Sequence, residues 1–126
     1  MIHGIGTDLV DIRRVAAGLD RFGTRFARRI LSDLEFSLYD GNPRRASFLA
    51  KRFAAKEALV KALGTGFRKE ISLKGISVEN NELGKPVLTY SDTLQAVLRD
   101  HGITRSHLSL ADERDYALAY VVLEAG

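Results

Sequence analysis

No cysteine occurs among the 126 residues, which excludes a disulfide framework and any thiolate metal site. With neither a cysteine nor a Gly-x-Ser-x-Gly elbow, covalent hydrolase chemistry has no nucleophile to start from. Apolar runs are short. None approaches the roughly eighteen residues that a membrane span needs, so no membrane partner is expected. The opening Met1-Ile2-His3-Gly4 lacks the basic flank and apolar core of a secretory signal, and a cytoplasmic location is the expectation. Repeats, low-complexity tracts and linkers are also missing, so residues 1–126 read as one domain. The histidines do not stand at zinc-ligand spacing. Gly4-Ile5-Gly6 lacks the third glycine of a dinucleotide fingerprint, and Gly64-Thr65-Gly66 is not followed by the Lys-Ser/Thr of a P-loop.

What is present has the balance of a globular protein: 45% hydrophobic and 28% charged, enough to build a core and a solvated surface in a chain of one-domain length. The net charge is only +3, but it is unevenly placed. Arg13, Arg14, Arg21, Arg25, Arg28 and Arg29 face a single nearby acid, Asp20. Such a patch points to an anionic partner: nucleic acid, a membrane surface or an acidic protein. Arg14, Arg21, Arg25 and Arg28 or Arg29 follow helical spacing, with Val15, Leu19, Phe22, Phe26 and Ile30 forming an apolar stripe beside them. This is the pattern of a helix docked on a core and offering charge outward. Phe22 and Phe26 are expected in that core, which counts against a module that stacks nucleic-acid bases. Guanidinium groups in such excess suit carboxylate and phosphate partners.

Residues 2–12 read as a strand with Ile2, Gly4, Gly6, Asp8, Val10 and Ile12 on one side. Helical periodicity runs from about Ile12 to Leu31, with a break expected around Gly18, Asp20 and Gly23. Ser32-Asp33-Leu34-Glu35 matches a capping box and opens a short helix. After a loop at Tyr39-Asp40-Gly41-Asn42-Pro43, a long helix is expected from about Arg44 to Leu63. Ile76–Glu79 and Val87–Tyr90 flank a turn at residues 80–84 as a hairpin. A helix from Asp92 to about Asp100 stops at Gly102. His107–Leu110 and Tyr116–Leu123 form a second hairpin around Asp112-Glu113-Arg114-Asp115. The fold class expected is α+β, with helices packed on a mostly antiparallel sheet.

The long helix carries the chemistry. Ala50, Ala54, Glu57, Lys61 and Gly64 fall on one stripe, so a carboxylate and an ammonium stand one turn apart among small residues. Ordinary surface helices also carry such pairs for a few tenths of a kcal/mol and no chemistry. Asp8 changes the balance. A carboxylate on a glycine-lined strand face must find a partner, either a nearby basic side chain or a hard cation shared with Glu57. Two carboxylates with water and phosphate oxygens filling the other positions is the way Mg²⁺ is usually held. Lys61 could then neutralise phosphate charge, and the glycine-flanked turn at Gly64-Thr65-Gly66 could let backbone N–H groups approach it.

Gly4-Ile5-Gly6-Thr7-Asp8-Leu9-Val10-Asp11-Ile12, followed by Arg52-Phe53-Ala54-Ala55-Lys56-Glu57-Ala58 through Lys61-Ala62 and Gly64-Thr65-Gly66, resembles the holo-acyl-carrier-protein synthases, the short 4'-phosphopantetheinyl transferases. Further agreement lies in Ala27–Ser32, Gly84-Lys85-Pro86 and His107–Ala117, so the resemblance covers nearly the whole chain. It implies transfer of the 4'-phosphopantetheine arm of coenzyme A to a serine of apo acyl carrier protein, in support of fatty acid biosynthesis. The serine hydroxyl attacks the β-phosphorus, and adenosine 3',5'-bisphosphate leaves. By the same resemblance Asp8 and Glu57 are the Mg²⁺ ligands, and Lys61 stabilises the pyrophosphate. Arg52 meets the 3'-phosphate from a neighbouring subunit, and Gly64, Thr65, Gly66, Lys85 and Pro86 line the nucleotide pocket. Arg14, Arg21, Arg25 and Arg29 receive the acidic carrier protein, and the assembly is a homotrimer with its sites between subunits. The general base is a metal-activated water or Glu57 itself. One departure stands out. Many members carry a histidine near the nucleotide phosphates in the penultimate strand, where this chain has Ala111 followed by Asp112.

Overall fold

Strand β1 (Ile2–Asp11) opens the chain and ends where Asp11 caps helix α1 (Ile12–Phe22). The Asp11 carboxylate accepts hydrogen bonds from the Arg13 backbone N–H at 2.9 Å and from its guanidinium at 3.0 Å. A residue earlier than the apolar pattern suggests, strand therefore gives way to helix. Gly23 then breaks the helical run, and α2 (Thr24–Ile30) follows. The capping box expected at Ser32 is formed: its hydroxyl accepts from the Glu35 N–H at 3.2 Å, and Glu35 accepts from the Ser32 N–H at 2.9 Å. It opens α3 (Asp33–Tyr39), and α4 (Arg45–Leu63) runs until Gly64 takes a left-handed conformation, φ +82°, that stops it. A 3₁₀ turn at Leu73–Gly75 leads into β2 (Ile76–Asn80) and β3 (Pro86–Tyr90). Helix α5 (Asp92–Asp100) and strands β4 (Ile103–Glu113) and β5 (Tyr116–Ala125) complete the chain. The computed structural model describes residues 1–126.

The α+β class is as expected, with two sheets rather than one, both antiparallel. One has the order β1-β5-β4, and β2 pairs only with β3. Strand β4 is longer at both ends than the His107–Leu110 segment read from the sequence. Its polar ends, Thr104-Arg105-Ser106 and Asp112-Glu113, give no apolar alternation, and the main-chain ladder to β5 carries them. Strand β1 ladders with β5 alone, where the Thr7 hydroxyl donates to the Ala119 carbonyl, 112 residues away in sequence.

Helix α4 is the axis of the molecule, buried on most of its circumference. One core lies between its second half, the three-stranded sheet, β2 and α5; the other lies between its first half and α1 to α3. Gly4 and Gly6 set its distance from β1. A Cβ on Gly6 would lie 2.0 Å from the Ala58 carbonyl oxygen, and one on Gly4 would lie 2.0 Å from that of Ala62. Helix and strand therefore meet backbone to backbone, through Ala58 and Ala62 on one side and bare glycine on the other. Phe22 is not in the core as its place on the apolar stripe suggests: it is exposed, stacked against the half-buried Phe26 at 6.5 Å. Phe22 is the last residue of α1, and the turn at Gly23 leaves it outside, although the same stripe buries Val15 before it and Ile30 after it.

Candidate active site

The close approach of β1 to α4 brings Asp8 to the stripe that carries Glu57 and Lys61. The Lys61 ammonium donates to the Asp8 carboxylate at 3.1 Å and to the Thr7 carbonyl at 3.0 Å. Asp8 thus has the basic partner that a carboxylate on this face requires. Its side chain is only 16% exposed, whereas that of Lys61 is 53% exposed and reachable from solvent. Glu57 is half-buried beside them. Burial raises its pKa, the negative charge of Asp8 raises it further, and Lys61 works in the opposite direction. Asp8 and Glu57 both line a cavity of about 590 Å³, together with Arg14, Phe26, Ile30 and Phe53.

Nowhere do three or more histidine, aspartate or glutamate side chains gather as a metal site. Two carboxylates that repel one another across a cavity still fit a hard cation that keeps water and substrate oxygens for its remaining positions. Asp8 and Glu57 are the residues that could hold it.

The other site residues read from the sequence lie in separate places. Gly64-Thr65-Gly66 forms the turn after α4, with the Thr65 hydroxyl donating to the Gly66 carbonyl at 2.9 Å and Arg68 holding the Thr65 carbonyl at 3.2 Å. Pro86, half-buried, opens β3, and Lys85, exposed, precedes it. Arg52 does not face the Asp8 cavity. Its guanidinium lies 3.6 Å above the Phe48 ring, is buried, and donates to the Val78 carbonyl at 3.4 Å. It borders a second cavity with Pro86, Lys51 and Asp112. Arg14, Arg21, Arg25 and Arg29 are exposed along α1 and α2, and none of them forms an ion pair. Arg14 stands on the rim of the Asp8–Glu57 cavity, so the basic surface and the carboxylates adjoin.

Sequence reading missed a buried ionic cluster behind this site. Glu35 and Lys56 are both fully buried and paired at 2.5 Å. The cue was Lys56 itself, flanked on α4 by Ala54, Ala55, Ala58 and Leu59 and so carried into the core. The capping box gave Glu35 a local role and hid its distant partner.

A strand and a helix thus bring two carboxylates to one cavity, with a lysine bonded to the first of them and an unpaired arginine surface beside it. The model of the 4'-phosphopantetheinyl transferase superfamily matches residues 4–121. A holo-acyl-carrier-protein synthase of Thiobacillus denitrificans is 52% identical over 98% of this chain and 95% of its own. The crystal structure of the Neisseria meningitidis holo-acyl-carrier-protein synthase is 44% identical and superposes with a TM-score of 0.95 over 98% of this chain and 99% of its own. The Helicobacter pylori holo-acyl-carrier-protein synthase, solved in complex with coenzyme A, is 32% identical with a TM-score of 0.83, covering 95% of this chain and 99% of its own. The chain belongs to the holo-acyl-carrier-protein synthase family and is an enzyme of that family.

Proposed function

We propose that this chain transfers the 4'-phosphopantetheine arm of coenzyme A to a serine of apo acyl carrier protein, with Mg²⁺ at Asp8 and Glu57. The carrying observation is the cavity that Asp8 and Glu57 share, with Lys61 bonded to Asp8 and Arg14 of the unpaired arginine surface in its lining. An Mg²⁺ bound there would neutralise charge on the pyrophosphate. Everything else falls to the protein's own side chains. Lys61, exposed and already beside Asp8, supplies a positive charge to the phosphate under attack. The turn Gly64-Thr65-Gly66 offers backbone N–H groups to the nucleotide, with Lys85 and Pro86 lining its pocket. Arg14, Arg21, Arg25 and Arg29 hold the acidic carrier protein. Exposed Phe22 gives that surface an apolar contact inside a basic rim, which suits a protein partner better than nucleic acid.

The proposed unit is one domain, residues 1–126, acting as a homotrimer. The outer face of the three-stranded sheet supports this: Ile5, Leu9, Leu118 and Tyr120 are 42–63% exposed on β1 and β5, with Leu9 directly opposite Leu118. Such an apolar patch calls for a cover. Within one chain, moreover, the Asp8 cavity and the Arg52–Pro86 cavity are distinct, and joining two copies is a way for Arg52 to reach the 3'-phosphate of a coenzyme A held by Asp8, Glu57 and Lys61. No helix is long and apolar enough to cross a membrane. The reading includes a cytoplasmic role in fatty acid biosynthesis.

The test is mass spectrometry of apo carrier protein incubated with coenzyme A, Mg²⁺ and the enzyme. A gain of about 340 Da, the phosphopantetheine arm, is expected, together with its near loss when Asp8→Ala is used. No gain with the wild-type enzyme refutes the reaction, and full activity of a folded Asp8→Ala refutes the metal assignment.

A further inference from the structure

The Lys56 ammonium is fully buried and spends its three protons on three different elements. It donates to the carbonyl of Ile30, the last residue of α2, at 2.6 Å. It donates to the carbonyl of Leu73, in the 3₁₀ turn, at 2.9 Å. The third proton goes to Glu35 of α3. Glu35 is as fully used: it also accepts from the N–H of Ser32, and at 2.8 Å from the N–H of Val78 on β2, while Arg52 lies 3.6 Å from its second oxygen. Three segments thus converge on Lys56 of α4, next in sequence to Glu57, and a fourth, β2, is tied to its partner Glu35.

Stability alone does not account for such a pair. Taking two charges out of water costs several kcal/mol each, and well-packed apolar replacements often do as well or better. What the pair does fix is geometry. Helix α2 carries Arg25 and Arg29 outward, and its Phe26 and Ile30 wall the cavity of Asp8 and Glu57. The Leu73 turn closes the segment that begins at Gly64-Thr65-Gly66, and it borders an open groove with Arg29 and Arg68. The contact of β1 with α4 at Gly4 and Gly6 is made elsewhere and does not involve Lys56.

We infer that Lys56, through its pairing with Glu35, is a positioning residue of the transfer reaction, a buried strut that sets both substrate-holding walls against the helix bearing Glu57 and Lys61. The inference rests on the transferase reading. It predicts a split in kinetics, because the strut touches the walls and not the reacting groups.

The variant Lys56→Met/Glu35→Gln removes the ammonium and the carboxylate together and leaves buried Arg52 with the Val78 carbonyl as its acceptor. In the folded enzyme, KM for both apo carrier protein and coenzyme A is expected to rise about tenfold with kcat within about threefold of wild type, since misplaced walls weaken holding more than chemistry. Amide exchange should quicken in residues 24–30 and 67–75 and stay unchanged in β1 and β5. Glu35→Asp, which keeps the charge and shortens the reach, should move the same quantities less. A folded variant with both KM values unchanged, a loss confined to kcat, or unchanged exchange in the two segments overturns the inference. So does loss of folding in both variants, which would make the pair a stability element only. If the wild-type enzyme itself transfers nothing, the transferase reading fails instead, while the exchange measurement still decides whether the strut exists.

Discussion

Gly6→Ala perturbs a single contact whose consequence can be worked from distances. The added methyl carbon would stand 2.0 Å from the Ala58 carbonyl oxygen, 2.8 Å from the Ala62 nitrogen and 3.0 Å from the Ala58 carbonyl carbon. All three are backbone atoms of α4, so no side chain can swing aside. Reaching an ordinary contact of 3.4 Å requires helix and strand to part by about 1.4 Å. Overpacking of this kind costs about 1–3 kcal/mol, and a rigid backbone obstacle puts it at the upper end. For a domain of this size that lowers the melting temperature by on the order of 10 °C. The effect on activity is larger than the loss of stability suggests. Asp8 lies two residues along the displaced strand on the same face, and a misplacement of about 1 Å can cost about a hundredfold in rate. Thermal denaturation followed by circular dichroism, with carrier-protein modification measured well below the transition, reads both quantities. A Gly6→Ala enzyme with wild-type melting temperature and rate would refute the argument that bare glycine sets the position of Asp8.

Glu57→Gln should separate stability from activity. Burial and Asp8 raise the pKa of Glu57 above 4.5, so its protonated form is the one the fold favours. The stability it contributes is present below the unfolded pKa and is lost as pH rises through the folded value. Without divalent cation at neutral pH, Glu57→Gln should therefore melt above the wild-type protein, with the gap closing as pH falls toward 4.5, while transfer nearly vanishes. A lower melting temperature for the variant at neutral pH would contradict that sign. Leu9→Asp places a charge on the exposed sheet face opposite Leu118 and should convert a trimer to monomers in sedimentation velocity, weakening coenzyme A binding in parallel. A persistent trimer would remove that face from the assembly.

Local signals in the sequence were read well because the structure honours them locally. Ser32 and Glu35 form the capping box that their spacing describes, Gly64 ends α4, and Gly23 divides the arginine segment. The partner of Asp8 was legible because a carboxylate on a glycine-lined strand face must find one, and Lys61 is the one it finds. What escaped were relations between distant segments. No pattern in Ile76–Tyr90 says that its hairpin stays apart from the other three strands. Lys56 stands among apolar neighbours on α4, but nothing near it in sequence says that α2, α3 and the 3₁₀ turn close over it. Phe22 obeys its helical stripe, yet the bend one residue later leaves it outside.

The ladder between β1 and β5 has a consequence for how the protein is made. Thr7 and Ala119 are joined across 112 residues, so the strand bearing Asp8 emerges early from the ribosome and has no ladder partner until the last strand follows. Until then β1 is an apolar strand with both edges open, a species prone to wrong pairing. Contacts of such long sequence separation also slow folding, because the intervening chain must be ordered before they form. A nascent chain halted before Tyr116 would carry Asp8, Glu57 and Lys61 and still lack the ladder that holds the first of them in place. The Asp8 end of the site should accordingly be set only once β5 has paired with β1.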